Sequence, residues 1–129
     1  MEETVGQQGW ESQVAVVEKV LENGCELDEE ESELIEVQSR FCRIFSDPKR
    51  LRILWCLMNV ERSVGEIAKQ FSLSMSNVSQ HLRIMRDLGA VVARRDGRYV
   101  YYTLANKKFV MGSVLIREGL KDELAKRKW

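Results

Sequence analysis

Apolar residues recur at helical spacing along most of this chain and at strand spacing in one short stretch. From Trp10 to Leu21 they fall at Val14, Val17 and Leu21, with Val16 and Val20 beside them, which predicts a helix closed by Asn23-Gly24. Leu34, Val37, Phe41 and Phe45, with Ile44 alongside, mark one face of a second helix, whose start Asp28 or Ser32 can cap. Asp47-Pro48 ends that helix and begins a third, because Asp serves as N-cap and Pro at the first helical position forfeits no needed hydrogen bond. Leu51, Ile53, Leu54, Leu57 and Met58 make the third helix apolar nearly all round, so it is expected at the centre of the core.

Ser63 to Leu88 carries two short helical patterns with a polar break between them. Ser63 can cap the first while Glu66, three residues on, reaches back, and Val64, Ile67 and Ala68 form its apolar side. The break is Phe71-Ser72-Leu73-Ser74. A second helix starts at Ser74 or Met75, with Val78, Leu82, Met85 and Leu88 on one face and Ser76, Asn77, Ser79, Gln80, His81 and Arg83 on the other. A solvated helix face ordinarily carries Glu and Lys; the serines and asparagine here lower helix propensity for no folding benefit. Hydroxyls, amides and a guanidinium are instead the groups that hydrogen-bond base edges and phosphates, so the pair reads as a helix-turn-helix with the second helix for recognition.

Next come Val91 to Ala93, then Arg94-Arg95-Asp96-Gly97-Arg98, then Tyr99 to Leu104. Asp-Gly between strand-like runs predicts a hairpin with a two-residue turn, and Val100, Tyr102 and Leu104 alternate with Tyr99, Tyr101 and Thr103. Three arginines at a hairpin tip directly after a recognition helix describe a wing, placed to reach phosphates or a minor groove. Asn106 to Trp129 completes the chain as a helix with Phe109, Ile116, Leu120 and Leu124 near one stripe, flanked by Val110, Val114 and Leu115. That much apolar surface on a closed domain calls for a partner.

Composition changes this picture in one respect. The 129 residues suit one domain, and their net charge of zero looks wrong for a protein that holds DNA. The zero conceals a split: residues 1–36 carry 12 Asp/Glu against 1 Lys, a balance of −11, and the rest of the chain carries +11. Local charge governs phosphate binding, so the basic portion matters more. No run long enough to span a membrane and no leader are evident, and three cysteines at irregular spacing are not a disulfide framework, so a reduced cytoplasmic setting is expected.

The segment FSDPKRLRILWCL followed by RSVGEIAKQFSLSMSNVSQHLRIMRDLGAVVARRDGRYVYYTL resembles the ArsR family of winged-helix transcriptional repressors over Phe41 to Leu104, about half the chain. The resemblance implies a mainly α fold with a small β-hairpin and dimerisation helices at both ends. It implies an acidic segment at 1–36 joining the dimer interface, a DNA-binding core at 37–105 and a dimerisation helix at 106–129. It further implies a homodimer on a palindromic operator in double-stranded DNA, with recognition helices about 34 Å apart, released by a chemical signal. The expected DNA contacts are Ser74, Met75, Ser76, Asn77, Ser79, Gln80, His81, Arg83, Arg94, Arg95, Arg98 and Tyr99. Met75 departs from the polar residue common in relatives and suits a thymine methyl.

Two metal sites known in the family are not matched. The first helix of the helix-turn-helix has no Cys-x-Cys pair, and the C-terminal helix has no histidine, so no metal and no cofactor are expected; cysteines alone are left for soft metals. Cys42, beside Arg40 and Arg43, with Cys25 as a second thiol, is the expected sensor, whereas Cys56 reads as a small core residue. No catalytic set, glycine-rich phosphate loop or metal-ligand spacing points to an enzyme. A winged helix used only for protein binding and a MarR-type regulator are the alternatives.

Overall fold

In the computed structural model, Glu18, residues 20–22, Gly24 and Glu26–Arg127 are described. They fall into two units, Met1–Gln38 and Ser39–Trp129. In the first, Glu18 and residues 20–22 are helical, and the Gly24 N–H donates to Val20 O at 3.1 Å from a left-handed backbone (φ 60°), a helix-ending geometry that suits glycine. The remainder of the expected Trp10–Leu21 helix lies outside the described residues. Helix α1 (Glu29–Phe41) starts at Asp28, which accepts from the Glu31 N–H at 2.8 Å while its own N–H donates to Glu31 Oε2 at 3.4 Å. Glutamates fill the first turn, where the helix dipole favours them. Leu34, Ile35 and Val37 are exposed.

The second unit opens with a departure from the expected continuous helix. After Phe41 the chain tightens into a 3-10 turn, Cys42–Ser46. Pro48 forces the preceding Asp47 into extended backbone (φ −124°, ψ 123°), so the helix must end upstream. The freed Arg43 carbonyl accepts from Ser46 Oγ at 2.6 Å and Arg50 Nη2 at 2.9 Å. The tighter winding places Ile44 in the core and leaves Phe45 only partly buried.

Helix α2 (Pro48–Cys56) is capped as expected, the Lys49 N–H donating to Asp47 Oδ1 at 2.7 Å. It puts Ile53 and Leu54 into a core shared with Leu57, Ile67, Val78, Leu82, Met85, Ala90, Val91, Tyr102 and Val110. Asn59 turns the chain through a left-handed conformation (φ 62°) into β1 (Arg62–Ser63). Helices α3 (Val64–Phe71) and α4 (Met75–Asp87) follow, then β2 (Val91–Asp96), β3 (Tyr99–Leu104) and α5 (Lys108–Arg127). The strands form an antiparallel sheet in the order β1-β3-β2, with Arg62 opposite Tyr102. The fold is therefore mainly helical with a small sheet, a winged helix-turn-helix.

Two details of the sheet differ from the sequence expectation. β1 was not expected, since two residues carry no alternation to read. The turn sits one residue later than Asp-Gly: Asp96 pairs with Tyr99, so Gly97 and Arg98 are the loop, and Gly97 alone of these takes a positive φ (63°). Glycine at the first loop position suits the twist of a two-residue hairpin.

In α5, Val110 and Ser113 face the core, with Phe109 and Val114 packed beside it. Trp55 Nε1–H donates to Ser113 Oγ at 2.7 Å, Ser113 donates onward to Val110 O, and Phe109 lies 4.3 Å from Phe41 between ring centroids. The expected apolar stripe is thus split. Phe109 packs inward while Ile116, Leu120 and Leu124 stay exposed.

Leu82 is fully buried on the inner face of α4. Leu82→Ala should lower the free energy of unfolding by about 2–5 kcal/mol, measured by urea titration followed by circular dichroism. An exposed position on the same helix, Gln80→Ala, should change it by less than about 0.5 kcal/mol.

Candidate nucleic-acid interface

Local hydrogen bonds set the angle between α3 and α4. Ser63 and Glu66 form the expected reciprocal cap, with Glu66 N–H to Ser63 Oγ at 3.2 Å and Ser63 N–H to Glu66 Oε1 at 2.8 Å. The bond from the Ser63 backbone holds the Glu66 carboxyl below its ordinary pKa. Ser72 ends α3 in a left-handed conformation (φ 54°), and the Leu73 N–H returns to Ala68 O at 2.9 Å. Ser74 then caps α4 by accepting from the Asn77 N–H at 3.0 Å, so its hydroxyl is already engaged by the backbone.

Val78, Leu82 and Met85 bury the inner face of α4 and thereby direct the outer face. Met75, Ser76, Gln80 and Arg83 are exposed; Asn77, Ser79 and His81 are half-buried on the flanks. Two clefts run between α4 and the hairpin. One, of about 330 Å³, brings Ser79, Arg83 and Arg86 of α4 to Arg95 of β2. The other, of about 210 Å³, joins Met75 and Ser79 to Gly65, Arg98 and Tyr99. Ser79 borders both. Arg86 was not anticipated from the sequence, although it lies three residues after Arg83 and helical spacing puts the two on adjoining positions of one face.

The three wing arginines have different surroundings. Arg95 and Arg98 line the clefts beside α4. Arg94 is held partway along β2, its Nη2 and Nε 2.6 and 2.9 Å from the two Glu61 carboxylate oxygens and its guanidinium 4.9 Å from the Tyr101 ring centroid. The Arg94 hydrogen bond holds Glu61 below its ordinary pKa, and the same bond raises Arg94. A forked guanidinium–carboxylate pair of this kind engages Nη2 and Nε of Arg94. Sequence reasoning assigned all three to the backbone because Glu61 lies far away in the chain.

His81 sits on the flank of α4 that packs on α2. Its Nδ1 is buried without a partner. Burial pushes its pKa down, Asp47 opposes that, and Arg50 and Lys49 add to it. Cys42 is half-buried at the 3-10 turn, and Cys25 lies outside the described residues. Cys56 directs its thiol to Ile53 O at 3.1 Å, and burial raises its pKa against the pull of Arg62. Among the described residues no three His, Cys, Asp or Glu side chains converge as metal ligands, and no helix is long and apolar enough to cross a membrane.

Comparison with known proteins decides the family. The bacterial regulatory protein family arsR matches residues 47–92, from the cap of α2 to the start of the wing. The HTH-type transcriptional regulator Rv0081 of Mycobacterium tuberculosis is 39% identical over 77 residues, which span 59% of this chain and 68% of that protein. Its crystal structure superposes with a TM-score of 0.65 at 34% identity, covering 74% of this chain and 97% of that one. The chain belongs to the ArsR family. The homodimeric winged helix-turn-helix DNA-binding domain of Mb0332 from Mycobacterium bovis also superposes, with a TM-score of 0.66 at 25% identity over 78% of this chain and 93% of that one. The protein of Streptomyces lividans named "Probable mercury resistance operon repressor" is 36% identical over 70 residues, 54% of this chain and 56% of that protein.

The geometry separates the wing arginines experimentally. Arg95→Ala should lower the slope of log K against log salt by about one for any DNA, whereas Arg94→Ala should leave that slope unchanged. Fluorescence anisotropy across a salt series measures both.

Proposed function

We propose that this ArsR-family chain is a dimeric, sequence-specific DNA-binding repressor that leaves its operator in response to a chemical signal. The observation that carries the reading is the outer face of α4, where exposed Met75, Ser76, Gln80 and Arg83 stand beside the cleft arginines Arg86, Arg95 and Arg98. Polar side chains of this kind read base edges in a major groove, and the cations neutralise the backbone on either side. Asn77, Ser79 and Tyr99 border that face, and Met75 offers its thioether to a thymine methyl. The family's DNA-binding regulators and the mercury operon repressor among its relatives support repression as the mode of action.

Residues 37–105 form the DNA-binding core in this reading, 106–129 the dimerisation helix, and the acidic 1–36 segment joins the interface. Exposed Ile116, Leu120 and Leu124 supply the apolar surface for a second copy, and the homodimeric Mb0332 domain supports that assembly. A two-fold dimer places two copies of α4 about one helical turn of DNA apart, so the operator is palindromic. The protein would act in the cytoplasm. Cys42 is the thiol assigned to the signal, with Cys25 as its candidate partner, because the half-buried Cys56 has its thiol on Ile53 O and its pKa raised by burial.

Anisotropy of the reduced protein on its own upstream DNA should give tight binding, a steep salt slope and preference over scrambled sequence. Leu120→Glu should lower the sedimentation mass from dimer to monomer and weaken operator binding with it; equal affinity for both DNAs contradicts the reading. Peroxide, polysulfide or soft metals should release wild-type protein from DNA, and Cys42→Ser should blunt that release. An identical response in the variant removes Cys42 from the mechanism.

A further inference from the structure

The buried side-chain atoms without a hydrogen-bond partner among the described residues are Arg50 Nε, Asn77 Oδ1 and His81 Nδ1. Buried polar atoms in folded proteins are nearly always paired, so three of them at neighbouring positions have a cause. Asn77 and His81 are one turn apart on the same flank of α4. That helix packs on α2, whose first turn carries Arg50. The charges acting on the His81 ring are those of Asp47, Arg50 and Lys49, all from the start of α2. Asp47 is engaged by the α2 backbone through the Lys49 N–H, and its Oδ2 lies 3.9 Å from Arg50 Nη1. Arg50 spends Nη2 on Arg43 O and Ser46 Oγ, and its buried Nε–H has no acceptor.

One ring nitrogen therefore has two chemically matched partners. Carrying a proton, Nδ1 donates to Asn77 Oδ1 and the bond stays within α4. Bare, Nδ1 accepts from Arg50 Nε–H and ties α4 to the start of α2. We propose that His81 is a positioning residue for DNA recognition: neutral, with Nδ1 bare, it locks the recognition helix to α2 through Arg50 when α4 seats in the groove. The lock holds the outer face of α4 at a fixed angle and touches no phosphate. Acid opens it, since imidazolium carries protons on both nitrogens and cannot accept from Arg50. Lys49 and Arg50 repel that cation, Asp47 attracts it, and burial disfavours it. The fold thus keeps His81 neutral more strongly than an unfolded chain does. It binds fewer protons, so the junction survives the ordinary histidine value near 6.5 and is lost only as pH falls below it.

The inference rests on the DNA-binding reading, and one assay separates the two. Full-length wild type, His81→Leu and His81→Gln are titrated against the protein's upstream DNA and a scrambled duplex, in a salt series at pH 7.5 and again at pH 5.5. His81→Leu should cut the upstream-to-scrambled affinity ratio by about tenfold with an unchanged salt slope. His81→Gln, whose amide oxygen can accept from Arg50, should keep most of the ratio. Acidification should lower the ratio for wild type and leave that of His81→Gln flat. Should His81→Leu not fold, Arg50→Lys keeps the charge, lacks Nε–H, and should show the same loss. A salt slope lower by about one in His81→Leu makes His81 a phosphate contact and overturns the proposal, as does an unchanged ratio. A wild-type ratio of one instead overturns the DNA-binding reading itself.

Discussion

Val78, Leu82 and Met85 occupy one side of a 13-residue helix, and their burial leaves α4 a single orientation on the domain. Each apolar side chain removed from water contributes on the order of 1.5–3 kcal/mol, far more than any hydrogen bond on the exposed side returns. The outer residues are thus free to be poor helix formers. Ser76, Asn77 and Ser79 weaken α4 locally, and the inner face absorbs that cost. Caps at Ser63 and Ser74 and the left-handed Ser72 between them fix the turn, so recognition chemistry is held by packing and backbone geometry.

Charge is arranged around that helix by the same economy. Arg83, Arg86 and Arg95 share a cleft, and Arg98 borders the next one. Arg94, partway along β2, is bound to Glu61 and rests on Tyr101. The Arg94–Glu61 pair cross-links β2 to the residue before β1.

Most of the fold could be read from spacing, because its determinants are local. The Ser63–Glu66 cap, the Asp47-Pro48 helix start, the buried positions of α4 and the hairpin all declare themselves within a few residues. What escaped depends on partners distant in the chain. β1 exists only because Arg62 and Ser63 pair with Tyr102 and Tyr101. Arg94 looked like its neighbours until Glu61, 33 residues earlier, was seen to hold it. His81 lies within a polar run that reads as a base-contacting face, yet the groups acting on it come from the start of α2. The 3-10 turn at Cys42–Ser46 was hidden by apolar spacing that continues through it, while Pro48 decided the backbone. In α5 the stripe was visible, but which part of it turns inward was set by Trp55 and Phe41.

The central claim is that α4 reads a major groove while the hairpin flanks it, twice over in a two-fold pair. Hydroxyl-radical footprinting of the protein on its own upstream DNA addresses this directly. The account predicts two protected half-sites with centres about 10–10.5 base pairs apart, symmetrically disposed, with further protection outward where Arg95 and Arg98 reach the backbone. A single half-site, or uniform protection without a repeat, would contradict it.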